Sequence, residues 1–376
     1  MRITVIGAGF AALTAVKTLR KQSKKTEITV IAPKAEFVYL PSLIWLPTEL
    51  RKADDLRIDL NHYFKKMRVN FVAGKVQKVS DDGRQVFTEN DTVENDALIM
   101  AGGGRFIKKL PGIEHVLTPC EGIQVGETIR DRLAAMKSGT IAMGFGGNPK
   151  EPTAMRGGPM FEFVFIIETL LRKQGRRDQF KLVFFNPKDK PGVRLGPDVP
   201  GKLMNLMRKQ GVETHLGHKI KGFTEKSVIT EAGKIAADLI LFMPGMTGSA
   251  WLDNTNLPRS SGGMIAANEH TQVAGFKHVY VAGDAGSFPG PEWQPKQAHA
   301  ADIQAKVAAT NALRLLQNDT AELDKIHHEL LCIIDSLSHG IFIKRNDKGA
   351  TFLPPLRIMH YAKRFFEKRY LRQYRG

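Results

Sequence analysis

Apolar positions come first in nearly continuous runs and then at helical spacing. Arg2–Ile6 reads as a buried-type strand, a glycine turn follows, apolar residues recur with helical period over about Phe10–Lys21, and Glu27–Ala32 reads as a second strand. This strand–helix–strand order predicts a βαβ unit on a parallel sheet. From about Val69 to Thr92, Val and Phe alternate with polar residues around turns such as Asp81-Asp82-Gly83, which predicts a β-rich stretch. Ala97–Gly102 is a short apolar strand running into three glycines. The pattern then starts again. Thr140–Met143 predicts a strand, Gly144–Gly158 a long Gly/Pro-rich connection, Pro159–Lys173 a helix, and Phe180–Phe185 and Ala237–Met243 two further strands. His278–Ala282 predicts a strand ending in Gly283-Asp284, and a helix is expected from about Lys296 to Leu316. No repeat of 20–50 residues is visible, yet the two α/β units are also compatible with a duplicated domain, the second inserted into the first.

Length and charge narrow the classes. With 376 residues, two or three domains of about 150 residues are expected. Hydrophobic residues make up 42% and charged ones 25%, so a real core can form. The net charge of +17 suits an anionic substrate, an anionic membrane surface or nucleic acid. Two cysteines exclude a disulfide scaffold and point to redox chemistry, catalysis or simple burial. No charged-then-apolar leader precedes Arg2, so no signal peptide is expected. No apolar run approaches the roughly 18 residues a membrane span requires.

The first turn, Gly7-Ala8-Gly9-Phe10-Ala11-Ala12, is a G-x-G-x-x-A motif between a clean strand and a clean helix. Gly7 permits the tight turn and Gly9 lets backbone approach a pyrophosphate. Ala12 allows close helix packing, and the helix N-terminus offers donors and dipole to phosphate. The acid usually found at the end of the second strand is absent; Ala32 stands there. Far downstream, Val279–Ala285 is an apolar strand ending in Gly283-Asp284, which puts a carboxylate at a sheet edge. In the second unit, Gly144-Phe145-Gly146-Gly147-Asn148-Pro149 breaks the glycine pattern, no helix starts behind it, and the next strand ends in Phe185-Asn186-Pro187 without an acid. Both features argue against a second, nicotinamide site.

The two motifs together resemble the two-dinucleotide-binding-domain flavoproteins. That resemblance implies FAD on Gly7, Gly9, Phe10, Ala11, Ala12, Gly102, Gly283 and Asp284. Further residues resemble the sulfide:quinone oxidoreductase family. These are Cys332 with Asp335 in a C-x-x-D pattern ahead of Gly340, Cys120 in Thr118-Pro119-Cys120-Glu121, Gly158-Pro159-Met160-Phe161-Glu162-Phe163, and Tyr361–Leu371. The resemblance implies a sulfur-carrying thiol at Cys332, a flavin-side cysteine at Cys120 and proton handling by Glu162. It also implies flavin contacts from Pro41 and Ser42, and a cation, Lys296, at a helix start facing the flavin. One departure is clear: the family's second redox cysteine falls on Arg156, so either Cys120 substitutes as the partner, or sulfur leaves by direct transfer to an external acceptor, or the chemistry is no longer sulfide oxidation.

From Arg357 to Gly376 there are seven Lys/Arg and one acidic residue, Glu367. Ile358, Tyr361, Ala362 and Phe365 share a helical face that Met359, Phe366 and Tyr370 widen, the composition of an interfacial helix on anionic lipid. No nucleic-acid recognition module is visible. The expected fold is therefore α/β, with two Rossmann-like dinucleotide-binding domains, the second inserted in the first, and a C-terminal amphipathic membrane-binding segment. Its expected limits are 1–115 and 256–320 for the FAD domain, 116–255 for the inserted domain and 321–376 for the C-terminal segment. The implied activity is oxidation of sulfide by FAD, with electrons passed to membrane quinone near Phe342 and Phe352, in a peripheral, monotopic membrane protein without a metal. A single-subunit NADH:quinone oxidoreductase and a non-turnover flavoprotein sensor are the alternatives. Homo-oligomers stay open.

Overall fold

The computed structural model describes residues 1–375; Gly376, the last residue of the expected tail segment, lies outside the described residues. Two parallel sheets form the frame. The first joins β1 (Arg2–Ile6), β2 (Glu27–Ala32), β3 (Val69–Ala73), β4 (Ala97–Met100) and β9 (Val279–Val281) in the order β9-β4-β1-β2-β3. The second joins β5 (Gly139–Phe145), β6 (Phe180–Asn186), β7 (Val212–Leu216) and β8 (Leu239–Met243) in the order β7-β6-β5-β8. Both interiors are apolar on two faces, as a helix-covered parallel sheet demands: β4 and β8 are buried at every residue. β9 pairs with β4 only after the whole second sheet has been made, so the second unit is inserted in the first.

Each sheet carries a three-stranded antiparallel ribbon, at Val76–Glu94 in the first unit and Ile220–Ala236 in the second. The β-rich stretch expected from Val69 therefore splits: Val69–Ala73 belongs to the parallel sheet and only the rest forms the ribbon. Helix α1 (Phe10–Gln22) packs against α4 (Ala298–Leu316) over the first sheet, and α3 (Gly158–Lys173) lies on the second.

The C-terminal region is a third layer. Strands β10 (Leu330–Asp335), β11 (Gly340–Asn346) and β12 (Gly349–Phe352) form an antiparallel sheet, followed by helix α5 (Arg357–Leu371). No helix among the described residues is long and apolar enough to cross a membrane.

Helix α5 has two faces. Ile358, Tyr361, Phe365 and Phe366 are 58–66% exposed, the longest run of large exposed apolar side chains among the described residues. The opposite face is moored to the protein. Glu367 is 3% exposed and receives two hydrogen bonds from Arg51 Nε at 2.9 and 3.1 Å. Tyr370, counted in the sequence as widening the apolar stripe, instead turns inward; its ring lies 5.2 Å from Phe10 and 5.7 Å from Tyr39. Tyr374, just beyond the helix, is buried against Tyr63, ring to ring at 5.0 Å.

Candidate active site

The carboxyl end of the first sheet has the features of a dinucleotide cradle. Gly7 sits at φ +113° with its amide on the Ile31 carbonyl at 2.8 Å; a Cβ there would meet the Ala101 carbonyl oxygen at 2.4 Å, so only glycine fits. At Gly9 a Cβ would find nothing within 4 Å, and no side chain caps α1 there. The first-turn amides of α1 are thus left to a ligand, the arrangement that binds phosphate. Ala11 and Ala12 are buried under the helix. Phe10 belongs to the aromatic cluster with Phe37, Tyr39 and Tyr370.

Further along the same edge, Gly102 is exposed, and the Gly283 amide is taken by Gln304 Oε1 at 2.8 Å. Asp284 is not an open carboxylate as expected; it forms an ion pair with Arg156. Lys296 lies two residues ahead of α4 rather than at its start, and its ammonium donates to the Gly286 carbonyl. Pro41 and Ser42 lie in a 3₁₀ segment, Leu40–Thr48, and the Ser42 hydroxyl is buried without a hydrogen-bond partner. An orphaned buried hydroxyl calls for a partner, which a polar flavin edge would supply. The residues present fit FAD.

Beyond this edge, three elements meet at Glu162. The carboxyl is on α3 and 5% exposed; its Oε1 accepts the Asp335 amide at 2.9 Å and the Lys363 ammonium. Lys363, from α5, also donates to the Ile333 carbonyl at 3.1 Å. Asp335 is fully buried and accepts from Trp45 Nε1 at 3.1 Å, from His360 Nδ1 at 2.7 Å and from the Leu337 amide at 2.8 Å. Burial pushes the Glu162 carboxyl up to about 7, against the downward pull of Lys363. Burial also opposes the Lys363 ammonium, but Glu162 and Asp335 outweigh it and hold its pKa above the ordinary value. Asp335 stays below the ordinary carboxylate range: burial works against its charge, and the His360 hydrogen bond and Lys363 overcome it.

Both cysteines are free. Cys332 is on β10 and Cys120 in the loop before the helix Ile123–Ala135, with φ +66°. Burial pushes both thiols up to about 12, and the charges of Glu162 and Lys363 bear on each. Arg156 bears on Cys120 only.

The sheet separates the two phenylalanines expected to meet quinone. Cys332, Ile343 and Phe352 are directly paired across the three strands and share one face, whereas Phe342 pairs with Ile333 on the other. Phe352 packs inward, with the Lys202 ammonium 4.7 Å above its ring. Phe342 stays on the side of Leu331 and Ile333, with Met359 of α5 lying against Gly340 at the head of its strand.

Lys363, His360 and Trp45 were missed by sequence reasoning. Lys363 and His360 are recoverable in part, because they fall on the face of α5 opposite Ile358 and Phe365. Nothing local signals Trp45, whose role depends on a contact with residue 335.

A family description, pyridine nucleotide-disulphide oxidoreductase, matches residues 1–148 and 176–305. The chain belongs to this family. FAD is its cofactor. The match leaves out 149–175, which carries Arg156 and Glu162, and 306–376, which carries Cys332 and Lys363. The chain is 24% identical over 358 residues to the type II NADH:quinone oxidoreductase of Staphylococcus aureus, covering 89% of this chain and 88% of that protein. Its fold is that of the sulfide:quinone oxidoreductase from the hyperthermophilic bacterium Aquifex aeolicus, with TM-score 0.90 and 20% identity over all of this chain and 91% of that one. A NAD-dependent persulfide reductase from A. fulgidus superposes at TM-score 0.71, with 17% identity over 93% of this chain and 65% of that one. The protein is an FAD-dependent oxidoreductase.

Proposed function

We propose that the protein oxidises sulfide, or a related sulfur compound, and passes the electrons to quinone at a membrane surface. The observation that carries this reading is that Lys363 joins Glu162 to the Ile333 carbonyl, one residue from Cys332, and comes from the same helix that turns Ile358, Tyr361, Phe365 and Phe366 outward. One element thus belongs both to the thiol site and to a surface with the chemistry of lipid docking. The reading keeps 1–115 and 256–320 as the FAD domain, 116–255 as the inserted domain and 321–376 as the redox and membrane segment.

When bound, FAD supplies a two-electron acceptor for the donor and a two-electron donor for quinone. The protein's own groups handle sulfur and protons. A thiol pushed up to about 12 reacts only if a base takes its proton, and Glu162, at about 7, is suited to do so near neutrality. Lys363 stabilises the Glu162 carboxylate between proton transfers. Joining hydrosulfide to the Cys332 thiolate as a persulfide releases two electrons and one further proton. Arg156 stands where a second redox cysteine is expected, so an external nucleophile takes the sulfur from Cys332.

The NADH:quinone reading draws on the identity to the Staphylococcus aureus protein. Against it stands the second unit, where Gly146–Gly157 separates β5 from α3 and no helix N-terminus backs the glycines. Anaerobic titration tests the proposal. Sulfide is expected to bleach the flavin band, a soluble quinone to restore it, and Cys332→Ser to abolish the bleaching. Undiminished bleaching in Cys332→Ser would overturn the mechanism. Bleaching by no donor would favour a sensor.

A further inference from the structure

Arg156 lies in the connection between β5 and α3 and reaches across to Asp284, just after β9. The two side chains are 19% and 9% exposed, so the pair is largely removed from water. Lys296 lies beside it. Burial lowers the pKa of its ammonium; Asp284 and Glu151 pull it back up, while Arg156 and Arg194 push it further down. Arg194 donates to the Pro152 carbonyl at 3.1 Å and to the Gln294 carbonyl, but its Nε is buried without a partner. Burial brings Arg194 down to about 10.

Four cations, Arg156, Lys296, Arg194 and Arg345, thus share this corner with three carboxylates, Asp284, Glu151 and Glu292. One of those, Glu151, already accepts the Thr153 and Ser287 hydroxyls at 2.8 and 3.0 Å. A buried charge without a counter-charge costs several kcal/mol, so the corner favours an added negative charge. It lies at the carboxyl end of β9, on the edge that begins with the Gly7–Gly9 turn, and Arg156 also bears on Cys120 beside the thiol site. A dinucleotide held by its phosphates at α1 would extend along this edge, and the chemistry it would supply adds negative charge at its ring.

We propose that Arg156 is a charge-setting residue of the flavin pocket. With Lys296, its guanidinium binds the electron-loaded, anionic ring more tightly than the oxidised one, a task that a neutral thiol at this position could not perform. In this role Arg156 acts on the cofactor and not on the sulfur. The inference requires bound FAD but holds whichever donor the protein uses.

The test uses the purified flavoprotein, with inorganic sulfite as probe and a dye-coupled redox titration. Sulfite adds its electron pair to the oxidised ring, displaces nothing, leaves the ring negative and bleaches it. In R156Q, sulfite is expected to bind at least about tenfold more weakly, and the two-electron reduction equilibrium to weaken as well, a tenfold loss in that constant being a fall of about 30 mV. R156K, which keeps the charge, is expected to retain most of both. R156Q/D284N is expected to stay weaker than wild type, because the guanidinium acts on the ring and does more than neutralise Asp284. An unchanged R156Q, or a double variant restored to wild-type values, would overturn the proposal. If the double variant does not hold FAD, R156K and R156Q decide between them, and equal weakness in both is the contrary result.

Discussion

The molecule holds two strand–turn–helix corners on similar parallel sheets, and they do different things. Between β1 and α1 lies only Gly7–Gly9, and the helix presents free first-turn amides. Between β5 and α3 lies Gly146–Gly157. There Asn148 ties the loop to the Met246 and Gly262 carbonyls, both at 2.9 Å, Arg156 reaches Asp284, and the first turns of α3 carry Glu162. On the proposed reading, the same scaffold serves phosphate where the helix follows the glycines at once, and serves protons and charge where the chain loops out first.

The comparison can be broken most completely at Gly7. Gly7→Val is expected to give protein without bound flavin, read as the flavin-to-protein absorbance ratio after desalting. Gly147→Ala, whose new Cβ would meet nothing nearer than Met155 at 3.9 Å, should keep full flavin content and unchanged reduction by sulfide. Flavin loss in both variants would mean that the two corners do not divide the work.

Glu162→Gln is expected to slow flavin reduction by roughly 10²–10⁴-fold, the usual worth of a general base. The sign of the pH effect follows from its raised pKa. Glu162 is protonated below about 7, so the rate should climb as pH rises through that value, and Glu162→Gln should flatten the limb. Lys363→Met removes the cation that favours the carboxylate and should move the limb to higher pH. A limb that is identical in all three proteins would exclude Glu162 as the base.

Asp335→Ala leaves Trp45, His360 and the Leu337 amide without their acceptor. Breaking such a buried charged set costs about 3–5 kcal/mol, measurable as a lowered denaturation midpoint. The smallest effect on the fold is expected at the surface. Phe365→Ser with Phe366→Ser should weaken binding to anionic vesicles by up to about 1.5–3 kcal/mol per side chain while leaving the denaturation midpoint nearly unchanged. Full vesicle binding by this variant would remove the docking face.

Much of the frame was legible because it rests on local signals. The strand into Gly7, the apolar run into Gly283-Asp284 and the Gly/Pro-rich connection after β5 each announce their elements within a few residues. The outward stripe of α5 was legible from helical period. Contacts between distant segments were not. Arg156 reads as a missing cysteine, and only folding brings it to Asp284. Lys363 reads as one of many tail cations, and only the docking of α5 brings it to Glu162. Phe342 and Phe352 lie on opposite faces of one small sheet because strand register alternates neighbours such as Phe342 and Ile343, a placement no local signal announces. Ala32, where an acid usually ends the second strand, has no ribose-binding replacement that the structure identifies.

The most direct test of the account is rapid mixing of the oxidised protein with sulfide and, separately, with NADH, without oxygen, while the flavin band is followed. The account predicts fast bleaching by sulfide, lost in Cys332→Ser, and none by NADH on the timescale of quinone reduction. Fast bleaching by NADH, with sulfide inert, would contradict it.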